Sequence, residues 1–250
     1  MTTRGSRRGS LALLVLACAG CATLPPQTRP DPRDPWERLN RTTFAVNRSL
    51  DRAIARPIAR AYVRTVPSPV RLSVSNFFAN ALYPTVLCSN LLQGKGRDAL
   101  SDTARLLLNS TVGVGGLFDV ATVVGLKRHD EDFGQVLGKW GVPAGPYLMI
   151  PILGPSSVRD TAGQLPDEFT NGLNYIEDDA WRYGLQAFRL LDDRAATLAA
   201  ESVLARSADE YVLIRSAWWQ RREYQVRDGN VADVTGEDVI DEAEPPAETP

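Results

Sequence analysis

The stretch EDFGQVLGKWGVPAGPYLMIPILGPSSVRD, Glu131 to Asp160, decides what kind of molecule this chain makes. It is apolar enough to want a lipid-like environment, yet Pro143, Pro146, Pro151 and Pro155 each forbid a helix interior. Gly138, Gly141, Gly145 and Gly154 loosen the backbone between them. The longest unbroken apolar run is a handful of residues, against the ~20 that a bilayer-spanning helix needs. What remains is an apolar, hairpin-like excursion suited to lining a cavity or lying at a membrane face.

On either side of it the signals are helical. Trp36, Leu39, Thr43, Val46 and Leu50 recur at helical spacing after the start signal Asp34-Pro35. Pro57 opens a short helix through Val63, and Ser68-Pro69 reads as N-cap and first-turn proline of the next. Pro84 is expected to start another, closed by Gly94, and an amphipathic helix covers Arg97 to Leu108. Gly113 to Leu126 is apolar on nearly every side with only Asp119 charged, so as a helix it would be buried or touch lipid. After Asp178 two longer helices are expected, roughly 179–205 and 208–226, the second opened by a capping box from Ser207 to Glu210. With no strand ladder and no internal repeat in view, the fold class is all-α.

The termini carry other messages. Arg4, Arg7 and Arg8 precede an apolar run from Leu11 to Gly20, the pattern of a secretory leader over residues 1–20. Small residues Ala19 and Gly20 precede Cys21, which suits lipoprotein cleavage and lipid attachment there; Cys18, after Leu16-Ala17, is the poorer fit and remains the alternative. Two or more acyl chains anchor stably, at ~0.8 kcal/mol per buried methylene. Residues 21–35 then form a Pro-rich tether, 36–227 a helical domain and 228–250 an acidic tail expected to be disordered. The tail holds eight acids and no base, and residues 21–227 carry a formal charge of +3. That bias is compatible with an anionic lipid surface and far too weak to argue for nucleic acid.

Catalytic chemistry finds little support. The single histidine, His129, sits in the charged run KRHDED (Lys127 to Asp132), where a solvated turn is the ordinary reading. No Ser-His-Asp or Cys-His pair is available and no Cys/His cluster has zinc spacing. GVGGLF, Gly113 to Phe118, puts Phe where a dinucleotide fingerprint needs its last Gly, and Gly94-Lys95-Gly96 lacks the upstream Gly of a phosphate loop. Asp178-Asp179 and Asp192-Asp193 are adjacent on helices and do not face one another. Cys88 reads as a small core residue. No enzyme, metal or cofactor is expected.

Five blocks in order make the chain recognisable: DPWERLNR (Asp34–Arg41), SNFFANALYPTVLCSNLLQG (Ser75–Gly94), RLLLNSTVGVGGLFDVA (Arg105–Ala121), the 131–160 stretch, and DEYVLIRSAWWQRREY (Asp209–Tyr224). Together they resemble the MlaA/VacJ family of outer-membrane lipoproteins. The apex GVPAGP carries less Gly than is usual there, which weakens a hinge role for Gly141 and Gly145. The resemblance implies a compact, ring-like multi-helix domain embedded in the inner leaflet of a Gram-negative outer membrane, facing the periplasm. It also implies an amphipathic channel that takes mislocalised phospholipid from the outer leaflet and passes it to a periplasmic carrier for return to the inner membrane, in company with trimeric porins. Ala22 after Cys21 favours the outer membrane by the same kind of resemblance. The alternative is a scaffolding lipoprotein that binds porins without a channel.

Exposing a two-chain phospholipid to water costs on the order of 20 kcal/mol, from ~30 methylenes at ~0.8 each. A route for it needs continuous apolar wall, for which Val112–Leu126 and Tyr147–Leu153 are candidates. Gly141, Gly145, Pro146, Tyr147 and Pro151 are the channel or hairpin candidates. A desolvated phosphate also needs polar partners, and Arg105, Asn109 and Arg159 are the headgroup candidates. On the closing helix, Trp218-Trp219 among Arg215, Arg221 and Arg222 suits either a headgroup level or a core-closing role. The resemblance implies that this end faces the periplasm and docks the carrier, with the arginines steering it.

Overall fold

The computed structural model describes residues 31–230; the leader, both N-terminal cysteines and residues 231–250 lie outside them. Helix α1 (Glu37–Leu50) passes through a π-helical turn, Asp51–Ala55, into α2 (Arg56–Thr65). A long α3 (Ser68–Leu92) and α4 (Gly96–Thr111) follow as an antiparallel pair joined by a short turn. After an irregular loop come the single turn α5 (Val120–Val123) and α6 (Phe133–Lys139). A hairpin of β1 (Tyr147–Ile150) and β2 (Gly154–Ser157) leads into α7 (Val158–Thr170). The chain closes with α8 (Asp179–Ala196), the short α9 (Glu201–Leu204) and α10 (Glu210–Val226), with 3-10 turns at Gly172–Tyr175 and Leu198–Ala200. The fold is all-α, with this one hairpin as its only β-structure among the described residues.

Several expectations need correction. The one helix expected over 179–205 breaks after Ala196. The solvated turn expected at His129 is instead half-buried there, the ring lying 2.8 Å from buried Asp102. Pro84 lies inside α3 and does not begin a helix. An interior proline costs ~3 kcal/mol, but α3 is gripped on both sides of it, by α4, α7 and α8. Ser68 makes no side-chain cap; Pro67 occupies the N-cap position, with Pro69 in the first turn as expected. The capping box at Ser207 does not form either. Asp209 is the N-cap, accepting from the amides of Tyr211 (3.0 Å) and Val212 (3.2 Å), while Ser207 Oγ accepts from the Asp209 amide. Glu210 is thereby free to reach Arg48. Last, the Gly113–Leu126 segment is a chain of turns with one helical turn in it, because Gly115, Gly116 and Gly125 all take positive φ.

The hairpin is the strand ladder that the residue pattern did not reveal. Four-residue strands bounded by prolines show too little alternation to be read. Tyr147 pairs with Ser157 and Ile150 with Gly154. The other edge of β1 is closed by the Arg33 carbonyl, which accepts from the Tyr147 amide (2.7 Å), and by two asparagines of α1, seven residues apart and so on one helix face. Asn40 donates to the Tyr147 carbonyl (3.0 Å) and accepts from the Met149 amide (2.9 Å). Asn47 donates to the Ile150 carbonyl (2.9 Å) and accepts from the Ile152 amide (2.8 Å). Each side-chain amide thus serves the strand edge as a neighbouring backbone would.

The buried apolar residues form two small clusters. One joins Tyr147 and Met149 of the hairpin to Tyr211 and Trp219 of α10, with Phe44 and Trp218 packed on it. The other joins Ala59 and Tyr62 of α2 to Ala195 of α8, with Phe188 and Leu191 alongside. The space between α1, the hairpin, α8 and α10 is open.

Candidate functional site

A cavity of about 890 Å³ occupies that space. Phe44, Met149, Leu213 and Ile214 form one wall, Leu190 and Thr197 the other, Val203 and Leu204 of α9 one end, and the hairpin turn Ile152–Leu153 hangs into it. Its volume is near the top of the ~300–1,000 Å³ range of small-molecule pockets. A helical protein that leaves apolar side chains facing an opening of this size has given up packing there, which costs stability unless something apolar fills the space.

The rim is charged and tightly paired. Arg48 reaches Glu210 through two hydrogen bonds (2.7 and 2.9 Å), Arg194 reaches Asp51 (2.5 Å) and also contacts Glu201, and Arg56 bonds Asp51 (3.2 Å) and Glu201 (3.0 Å). Arg60, the fourth arginine of the rim, is the third cation on Glu201, at 2.7 Å. The Arg48 guanidinium holds the Glu210 carboxyl below its ordinary range. Burial pushes the Asp51 carboxyl up, but Arg194 and Arg56 together bring it below its ordinary range. Four arginines meet Asp51, Glu201 and Glu210 there, and the cavity wall itself carries Arg48 and Arg194 together with Asp51, Asp193 and Glu201. Sequence reading missed both arginines, because an arginine in a solvated helix stripe looks the same as one at a cavity mouth. Asn40 and Asn47 did leave a signal, as paired amides seven residues apart on a half-buried face.

None of the five hairpin candidates lines this cavity; they lie on the loop and strand that lead to its turn. Tyr147 is fully buried in the first core cluster, while Pro151 precedes the turn at the cavity. Gly141 (φ 87°) and Gly145 (φ 69°) are both in the left-handed region, where a side chain is strained, and they flank the loop that feeds β1. Pro146 lies between Gly145 and Tyr147, its carbonyl accepting from the Val158 amide at 3.1 Å. Ile152, a β-branched residue, also takes positive φ (69°) at the very tip.

The headgroup candidates lie elsewhere, in two buried networks. Arg105, 2 % exposed, makes a bidentate pair with Asp119 (2.8 and 3.0 Å), bonds the Thr122 hydroxyl and contacts the Leu126 carbonyl. Asn109 donates to Asp119 at 3.1 Å and accepts from the Ala121 amide. Burial pushes the Asp119 carboxyl up, but hydrogen bonds from Thr122 and Asn109 and the charge of Arg105 hold it at about 2. Arg159 pairs with Asp160 (2.9 Å), which also takes Arg222 (2.8 Å), and Arg222 forks onto Asp132 (2.6 and 2.7 Å). The first network pins the 113–126 loop to α4; the second ties α6, α7 and α10 together at the base of the hairpin.

No described helix is long and apolar enough to cross a membrane. Large apolar side chains are nonetheless exposed over much of the surface, among them Leu100 and Leu107 of α4, Phe169, Tyr175 and Trp181.

Comparison with known proteins fits this frame. The family model for the MlaA lipoprotein matches residues 32–225. The chain belongs to the MlaA family. An Escherichia coli relative, the intermembrane phospholipid transport system lipoprotein MlaA, is 32% identical over 231 residues, covering 90% of each chain. An uncharacterized Rickettsia typhi protein is 36% identical over 196 residues, 78% of each chain. A solved structure described as the "Structural basis for maintenance of bacterial outer membrane lipid asymmetry" superposes with a TM-score of 0.70 at 34% identity, covering 77% of this chain and 98% of that one. The MlaA match begins within the segment that anchors the fold's N-terminal edge, where buried Asp34 accepts from Asn40, Tyr211 and Arg215.

Proposed function

We propose that this MlaA-family chain carries phospholipid through the cavity between α1, the hairpin, α8 and α10, as an outer-membrane lipoprotein acylated at Cys21. The observation that carries the reading is the opening itself: apolar walls of acyl-chain character beside an ion-paired rim that presents Arg48 and Arg194, with the hairpin turn in its lining. Acyl chains would lie against Phe44, Met149, Leu213 and Ile214. The phosphate would exchange into the arginine cluster, where Arg48 and Arg194 trade a carboxylate partner for the headgroup, a near-even exchange of charge-assisted bonds. In this reading Arg105, Asn109 and Arg159 hold the frame rather than the lipid. The hairpin bearing Gly141, Gly145, Pro146, Tyr147 and Pro151 positions the lid, with lipid drawn from the outer leaflet, handed to a periplasmic carrier, and a trimeric porin alongside.

Mass spectrometry of the purified protein tests it. Phospholipid co-purifies with the parent chain and falls several-fold in Ile214→Asp, which puts a carboxylate on the apolar wall. Equal lipid in both would overturn the assignment of this cavity. In cells, deletion of the gene places phospholipid in the outer leaflet, and the Ile214→Asp variant fails to clear it.

A further inference from the structure

The loop that follows α4 is built to present grease. Val112, Val114, Leu117, Phe118, Val123 and Val124 are all exposed, Val123 at 85 %. This crest is no loose segment. Buried Arg105 and Asn109 clamp its Asp119, and Gly116 lets the backbone press against Asn80, where a Cβ would lie within 2.8 Å of the Asn80 side-chain carbon Cγ. A rigidly held apolar crest in water is a standing cost unless a partner covers it.

Immediately behind the crest stand Lys127 and Arg128. Both are exposed, and their side chains make no ion pair or hydrogen bond among the described residues. The acids that should neutralise them are engaged elsewhere: Asp98 and Asp102 face His129, Asp130 takes Arg221 and Gln225, and Glu131 takes Lys95 and Gln93. The contrast with the rim arginines, every one carboxylate-bound, is the deciding point. Arg128 borders a polar notch with Asn76, Asn80 and Tyr83, where the Asp119 carboxylate is already taken by Arg105 and Asn109. At about 10 Å³ that notch is no larger than one water, so any anion met by Arg128 stays at the surface.

We infer that residues 112–128 form a docking site for anionic phospholipid in a bilayer surface, with the crest among the acyl chains and Lys127 and Arg128 on the phosphates at its edge. The composition favours a bilayer over a protein partner: six exposed apolar side chains are gathered between Val112 and Val124, and Asp119, the one charge among them, is already paired. The charge favours an anionic lipid, since two uncompensated cations stand at the depth where headgroups begin. The site is separate from the cavity and does not depend on what the cavity carries.

Vesicle flotation tests it, using the chain from residue 21 to 250 with Cys21→Ser so that no acyl anchor contributes. Vesicles of phosphatidylcholine alone are compared with vesicles holding about one-third phosphatidylglycerol. The parent chain binds the anionic vesicles more tightly, and Lys127→Gln with Arg128→Gln lowers that affinity on the order of thirtyfold while leaving phosphatidylcholine binding unchanged. Phe118→Asp with Val123→Asp weakens binding to both. These four side chains are exposed, so the substitutions leave the fold in place, which circular dichroism checks. Equal binding of the parent chain to both vesicles, or full anionic binding by the Lys127/Arg128 variant, overturns the inference. Co-purified lipid, measured in the same variants, stays at the parent level and reports separately on the cavity.

Discussion

At the scale of single residues, the molecule is held by buried polar groups whose partners are specific. Asp119 exists in its charged form because Arg105, Asn109 and Thr122 all point at it. Asp119→Ala leaves the Arg105 guanidinium buried without a counter-charge, and breaking such a pair costs about 3–5 kcal/mol. Denaturant unfolding should show that loss, with the Asp119→Asn variant intermediate. Asn47→Ala frees the Ile150 carbonyl and the Ile152 amide, two bonds of about 1 kcal/mol each, and unfolding should show a loss of about 1–2 kcal/mol. Ile152 offers the opposite sign. An L-residue in the left-handed region costs about 1–2 kcal/mol, so Ile152→Gly raises the melting temperature by a few degrees despite glycine's own entropy. A melting temperature that falls would mean that the Ile152 side chain packs better than its exposure shows. Little of this was legible in the sequence. Arg105, Asn109 and Arg159 stood out as polar residues in apolar surroundings, but a buried guanidinium satisfied by its own fold and one waiting for a phosphate share the same spelling.

At the scale of elements, most of the helices were legible, because capping and 3.6-residue spacing are local properties. The helix that opens at Asp178 was read, while those at Asp132 and Ser157 were not, although all three open on a side-chain oxygen that accepts from the amide three residues on. What local signals missed was set by contacts from far along the chain. Pro84 continues α3 because neighbouring helices hold both halves, and β1 exists because α1 supplies the amides for its open edge. Glycine has a comparable role where α6 meets α7. A Cβ on Gly163 would lie 2.5 Å from the Gly134 amide nitrogen, and one on Gly134 would lie 2.5 Å from Asp160 Oδ1. Gly163→Ala should therefore cost about 1–3 kcal/mol and separate the two helices, loosening the base of the hairpin as well. Faster amide exchange in residues 133–139 is the readout.

At the scale of the whole molecule, two small cores flank an opening, and the charged rim around it supplies much of the contact between α1, α2, α8 and α9. That hollow centre was not legible from residue pattern, since an amphipathic helix shows the same face to a core, a lipid and a lumen; only the family resemblance pointed to it. Stability should depend on pH through Asp167. Burial raises its carboxyl to about 6, the nearby Asp132 and Glu168 charges add to the rise, and the Phe133 amide and Arg222 oppose it. The folded value lies above the ordinary 3.8, so the stability this group contributes is complete below about pH 4 and lost as pH rises through 6. Asp167→Asn removes that loss. Its unfolding free energy should match the parent at pH 4 and exceed it at pH 7.5 by up to about 1 kcal/mol once solvent screening is allowed for. A constant difference across that range would assign the effect to packing.

The way the strand edge is closed has its own consequence. Backbone paired to backbone separates only when a whole segment moves, but a carboxamide releases its two bonds by rotating about its own side chain. Apart from the one Tyr147–Arg33 backbone bond, that edge can therefore open by side-chain rotation while α1 stays wound, and until it does so, no wandering peptide finds a free margin on β1 to extend.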